Sequence, residues 1–275
     1  MALSKHWPTS AALVALSLAT VLPAQGQAQA QDARQVSAAD VPAERPARHG
    51  AWTSLLQTYV QPGEDGVNRF DYGALQASEA DRAALSGYID SFAELDFSAL
   101  TRAEAFAAWA NLYNALTIDH IIGRYPVRSI RSGYIVGPWK DVKTIAGGRE
   151  LSLDAIEHEI LRVEWDDPRV HYAVNCAAIG CPNLQTRAWE AATLDADLDR
   201  AARAFINSPR GVVVRDGGGL KVSRIYKWFE EDFGATEEGV IEHLLTYADA
   251  ELAEAIRARP DIRRHAYDWR LNDVE

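Results

Sequence analysis

The 275-residue chain has two cysteines, Cys176 and Cys181, separated by Ala-Ala-Ile-Gly. A thiol pair at this spacing opens several kinds of chemistry. In an exported protein it can close a structural disulfide, and around so short a loop the gain is local shape rather than global stability. Alternatively, Cys176 can serve as a nucleophile once a base removes its proton. Metal ligation with a histidine is a third use, although four intervening residues exceed the two of common zinc knuckles. A redox role is a fourth, at a spacing unlike C-x-x-C.

A nucleophile needs a base, and His171, His158 and His120 are the candidates. The apolar run Arg169 to Cys176 has the length of a strand, preceded by Asp-Pro and ended by a loop through Gly180 and Pro182. In a regular strand His171 and Cys176 fall on opposite faces, so a dyad between them requires a bend at Asn175. Two further groups can bind or orient. Asn111 and Asn114 share one face of a helix and are poor helix formers, which implies either a buried polar network or amides that meet a ligand. Trp139-Lys140-Asp141 sets an indole, an ammonium and a carboxylate side by side, as a surface ion cluster or as part of a pocket.

The elements that must position these residues follow from periodicity. Thr101 and Glu104 form a capping box, after which Phe106, Trp109, Ala110, Tyr113, Thr117 and Ile121 recur at helical spacing until Gly123 and Pro126. Trp52 to Val60 and Ala74 to Phe92 read as amphipathic helices flanking an extended piece at Val67 to Tyr72. Asp141 to Ser152 reads as a β-hairpin turning at Gly147-Gly148, and Ser152 caps a helix through Arg162. Thr193 to Asn207 is helical, Val212 to Val214 and Leu220 to Val222 form a hairpin, and Thr236 to Arg257 is helical again. The expected fold is a single α/β domain, α+β-like, over residues 49–275, with a small central β-sheet packed by several helices.

Lys5 and His6, an apolar run from Ala11 to Leu22, and the ending Ala28-Gln29-Ala30 predict a signal peptide over residues 1–30, cleaved to leave a periplasmic or secreted protein. The apolar core is too short to span a bilayer, so no stable membrane insertion is expected after cleavage. Residues 31–48, rich in Ala, Gln, Arg and Pro, read as a flexible leader. A net charge of −11 argues against nucleic acid or an anionic membrane as partner. The phosphate-loop, dinucleotide, zincin and nucleophile-elbow motifs are missing, and no cofactor or metal is expected from motif.

The segments AFAAWANLYNALTIDHII (105–122), PWKDV (138–142), LSLDAIEHEILR (151–162) and DPRVHYAVNCAAIGCPNL (167–184) resemble the family catalogued as domain of unknown function 547. SRIYKWFEEDFG (223–234) and YDWRLN (267–272) are similar to the C-terminal parts of its bacterial members. The resemblance places Asn111, Tyr113, Asn114, Trp139, Lys140 and Asp141 on recurring motifs, and likewise Glu157, His158, His171, Asn175, Cys176 and Cys181. It assigns them no roles. Two functions remain open. One is a binding or envelope-interaction module for a small molecule or envelope component, with a disulfide-shaped loop and Asn, Tyr and Trp side chains lining a pocket. The other is a cysteine-dependent hydrolase or acyl transferase, with Cys176 as nucleophile and His171 or His158 as base.

Overall fold

The computed structural model describes residues 48–274. The expected signal peptide and nearly all of the leader lie outside them. The architecture is organised around α4 (Arg102–Ile122), which starts at the capping box: the Glu104 N–H donates to Thr101 Oγ1 at 3.3 Å and the Thr101 N–H to Glu104 Oε2 at 2.8 Å. From Phe106 to Ile118 every residue of α4 is buried, so the helix is surrounded rather than laid on a surface. Before it come α1 (Gly50–Tyr59), β1 (Val60–Pro62), β2 (Asn68–Phe70), α2 (Tyr72–Ala77) and α3 (Glu79–Asp90). The expected helix over 74–92 is therefore two, because the Ser78 side chain accepts from the Asp81 N–H and restarts the chain as a new helix.

The hairpin is β3 (Lys143–Ala146) with β4 (Arg149–Ser152), antiparallel, and Gly147 and Gly148 take φ of +57° and +72°, as a two-residue turn of that twist demands. Ser152 then caps α5 (Leu153–Ala155), which continues through a π-helical stretch, Ile156–Leu161, into α6 (Arg162–Trp165). The sequence predicts one regular helix here. The inserted π turn packs on α4 and carries Glu157 and His158.

The expected central strand at Arg169 to Cys176 is not a strand. Val170–Ala173 forms a single helical turn, α7, and only from Val174 is the backbone extended. The Asp-Pro before it is the reason: Asp167 Oδ1 accepts from the Arg169 N–H at 2.8 Å, and Pro168 has the φ that suits a first helical position. With only Val170 and Val174 β-branched, nothing in the run opposes a helical turn. The alternation that separated His171 from Cys176 therefore does not apply.

Beyond it lie α8 (Leu194–Ile206), β5 (Val212–Val214), β6 (Leu220–Ser223), α9 (Ile225–Trp228), α10 (Glu237–Tyr247), α11 (Ala250–Ala258) and β7 (Ile262–Ala266). The expected helix over 236–257 is interrupted where Asp249 caps α11. Strand β6 pairs antiparallel with β5 and parallel with β7, while β1–β2 and β3–β4 are separate two-stranded ribbons. The class is mixed α/β within one unit, its strands divided among these small sheets. After β7, residues 267–273 run back across the molecule as a strap. Its Arg270 carbonyl accepts from the Ile179 N–H at 2.8 Å, and Asn272 Oδ1 accepts from the Tyr72 hydroxyl at 2.7 Å. Among the described residues no helix is long and apolar enough to cross a membrane.

Candidate functional site

A cavity of about 390 Å³ opens where α4, the π turn, α7, the cysteine loop, α9 and the strap meet. Tyr113 reaches it from α4, Glu157 and His158 from the π turn, His171 from α7, and Cys176 and Cys181 from the loop. π turns often mark functional positions, and here the extra residue per turn brings the adjacent Glu157 and His158 to the same wall. Trp139, Trp228, Phe229, Tyr267 and Trp269 add a set of aromatic rings to the lining, beside the charged Arg131 and Asp154. Among these rings, Trp228 and Tyr267 have centroids 4.9 Å apart and Tyr267 and Trp269 4.6 Å apart, in tilted contacts.

Cys176 and Cys181 are both free thiols, with their Sγ atoms 2.6 Å apart. A disulfide bond is about 2.05 Å long, so the expected bridge is not formed here. Tyr267 spans the pair, its hydroxyl 3.1 Å from Cys176 Sγ and 3.0 Å from Cys181 Sγ. The Cys176 N–H also donates to Cys181 Sγ, at 3.1 Å. Burial opposes ionisation of Cys181, but donors from Cys176, Tyr267 and the backbone outweigh it and lower its pKa. The partner thiol moves the other way. Hydrogen bonding to Cys181 together with burial raises Cys176 well above the ordinary thiol value. The two directions make Cys181 the more readily ionised of the pair, although the sequence reading takes Cys176 as the nucleophile.

The loop that sets this geometry is held from several sides. Ala177 has φ of +58°, a left-handed conformation that a non-glycine residue adopts only when its surroundings impose it. Asn175 Oδ1 accepts from the Ala177 N–H at 2.8 Å, and Asn175 Nδ2 donates to the Pro182 carbonyl at 2.7 Å. The Arg210 guanidinium donates to the Cys181 carbonyl at 2.7 Å. On the strap side, Gly180 lies so close to Asp268 that an added Cβ would stand 2.7 Å from its backbone nitrogen.

The two imidazoles of the lining belong to a network with a carboxylate and a guanidinium. His171 Nε2 donates to Asp232 Oδ2 at 2.6 Å, and Arg162 binds the same carboxylate through Nε at 2.6 Å and Nη2 at 2.9 Å. Burial works to raise the Asp232 pKa, yet the hydrogen bonds from His171 and Arg162 dominate and hold it below the usual carboxylate range. Arg162 Nη1 donates to His158 Nδ1 at 2.8 Å. Since a guanidinium has no acceptor, that nitrogen carries no proton and the His158 N–H is on Nε2. The Phe229 ring stacks on His171 at 4.1 Å. Among the described residues neither sulfur is hydrogen-bonded to His158 or His171, so the Cys–His dyad expected for a hydrolase is not assembled. No group of three or more His, Cys, Asp and Glu side chains suited to a metal is found among them either.

The remaining expected site residues lie elsewhere. Asn111 is buried and bonded to Trp189, its Nδ2 donating to the carbonyl at 2.9 Å and its Oδ1 accepting from the N–H at 3.0 Å. Asn114 donates to the Ala173 carbonyl at 2.9 Å and accepts from the Asn175 N–H at 2.8 Å. Asn175 holds the loop as described. These amides support the site without lining the cavity. Lys140 is 82% exposed and 3.9 Å from Asp154, Asp141 is exposed, and His120 sits apart from the cavity beside Tyr134. What residue-by-residue reading missed is Asp232 and the wall residues Trp228, Phe229, Tyr267 and Trp269, all C-terminal to the stretch that carries the thiols and imidazoles.

No curated protein and no solved structure matches the chain. Residues 97–206 match the family described as "Protein of unknown function, DUF547". The matched stretch runs from just before α4 to the end of α8 and contributes Tyr113, Trp139, Glu157, both imidazoles and both thiols to the cavity, so the part of the chain that resembles DUF547 carries much of the site.

Proposed function

We propose that this protein binds a small organic ligand in the aromatic-walled cavity, with the Cys176/Cys181 pair at its floor, and that it does so in the bacterial envelope after export. The observation that carries the reading is convergence. Trp139, Trp228, Phe229 and Trp269 enclose a volume within the usual range of small-molecule sites, while Glu157, His158 and His171 supply a few polar groups. The apolar run Ala11 to Leu22 and the ending Ala28-Gln29-Ala30 support export. In an oxidising envelope the facing thiols close to a disulfide that shapes the loop.

The test uses protein recovered from a periplasmic fraction, whose N-terminus is expected at Gln31. A panel of sugars, amino acids, nucleosides and small disulfides is titrated while tryptophan fluorescence is read. Saturable quenching by at least one class is expected, weakened about tenfold or more in Trp228→Ala. Saturation by no compound, or equal affinity in the variant, refutes the reading. The hydrolase alternative is favoured by one feature, the hydrogen bond to Asp232 from His171, whose imidazole lines the same cavity. The thiols' own partners are a phenol and each other.

A further inference from the structure

We propose that Cys176 and Cys181 form a two-electron thiol–disulfide couple that exchanges with a small disulfide entering the cavity. The inference deepens the binding reading and rests on the cavity being open to a ligand. Exchange needs an attacking thiolate, a resolving thiol within reach, control of the proton between them and a path for the substrate. Cys181 is the attacking sulfur, because it alone of the two accepts a backbone hydrogen bond across the pair, from the Cys176 N–H at 3.1 Å. Cys176, 2.6 Å away, is the resolving thiol, and Tyr267 reaches both sulfurs. The loop is already pinned by Arg210, Asn175 and the strap, so closing the bond needs little backbone movement. Both sulfurs line the open cavity, which supplies the path.

The steps balance. The Cys181 thiolate attacks one sulfur of R–S–S–R′, the substrate bond breaks, and R′–S⁻ leaves from a Cys181–S–S–R mixed disulfide. Cys176 gives its proton to R′–S⁻ and attacks Cys181 Sγ, forming the Cys176–Cys181 disulfide and releasing R–S⁻. Two cysteines are oxidised and one disulfide is reduced to two thiols. The reverse sequence oxidises a substrate dithiol.

The probe is oxidised glutathione, added to the pre-reduced protein and followed by acid quench and mass spectrometry. Wild type is expected to lose two hydrogens without retaining an adduct. Cys176→Ser should accumulate one glutathione on Cys181, and Cys181→Ser should react about tenfold or more slowly. Tyr267→Phe keeps the ring and removes the hydroxyl, and it should move the midpoint of the pH–rate profile upward, a change that mere loss of packing does not produce. A stable glutathione adduct on wild type, or exchange no faster than that of an unstructured cysteine peptide, overturns the couple. Alkylation of the reduced protein by iodoacetamide reads access separately. Alkylation without exchange refutes the couple and leaves the binding cavity; failure of both refutes both.

Discussion

Replacing Asn111 and Asn114 in turn by leucine separates what α4 does for the fold from what it does for the thiols. Leucine has a similar length, so the main loss is hydrogen bonding. In Asn111→Leu the Trp189 N–H and carbonyl both lose their partner, and both are buried. At about 1–3 kcal/mol for each buried group left unsatisfied, the cost is about 2–6 kcal/mol. In Asn114→Leu the Ala173 carbonyl still accepts from Trp189 Nε1 at 3.1 Å, so only the Asn175 N–H is orphaned. That cost is about 1–3 kcal/mol. Yet Asn175 is the residue before Cys176, and its own amide holds the Ala177 N–H and the Pro182 carbonyl. Urea unfolding at pH 7 should therefore rank Asn111→Leu as the more damaging. Iodoacetamide labelling of the reduced thiols should show the opposite order, with Asn114→Leu changed about threefold or more and Asn111→Leu near wild type. If Asn114→Leu is the less stable of the two, or leaves labelling unchanged, the assignment of one amide to the Trp189 segment and the other to the thiol loop is wrong.

Two further outcomes follow from packing and charge. Burial against the rings of Tyr172, Phe233 and Tyr226, and then the neighbouring His171, hold His243 at a pKa of about 4. As pH falls below about 6.5 the unfolded chain gains this proton first, so stability declines between 6.5 and 4 by up to about 3 kcal/mol. His243→Gln should flatten that decline in urea titrations at pH 7 and 4.5, leaving the part due to His49, which burial and the adjacent Arg48 also hold at about 4, and to His120 and His265, which burial lowers as well. An equal slope in the variant contradicts the assignment. Gly180→Ala places a methyl group against the Asp268 backbone and should cost about 1–3 kcal/mol while displacing Tyr267, so the reduced thiols label faster; unchanged labelling means the strap does not cover them.

Much of this fold is legible locally. Thr101, Glu104 and Gly123 bound α4, and Gly147-Gly148 fixes the hairpin, because each signal is satisfied by neighbours within a few residues. Ser78 and Asp249 break longer apolar periodicities that read as continuous, since a cap inside an amphipathic pattern costs the pattern nothing. The run Arg169 to Cys176 is the informative failure. Apolar length suggests a strand, but Asp167 and Pro168 start a helical turn, and that turn removes the alternation that kept His171 from the cavity lined by Cys176. Tyr113, Trp139, His158, His171 and both cysteines line the cavity, whereas the asparagines turn to the backbone. The Trp228, Phe229, Tyr267 and Trp269 wall is set by α9 and the strap, and no spacing rule links residues so far along the chain to the thiols they face.

The strap also sets a clock. Tyr267 follows Cys181 by 86 residues, so as the chain emerges N-terminus first both sulfurs appear before the hydroxyl that bridges them. During that interval Ala177 lacks its bond to Asn272 and Gly180 its contact with Asp268, and the thiols stand uncovered on a loop without its final restraint. A newly made chain thus passes through a stage in which its sulfurs are open to any partner, and docking of one short segment ends that promiscuity.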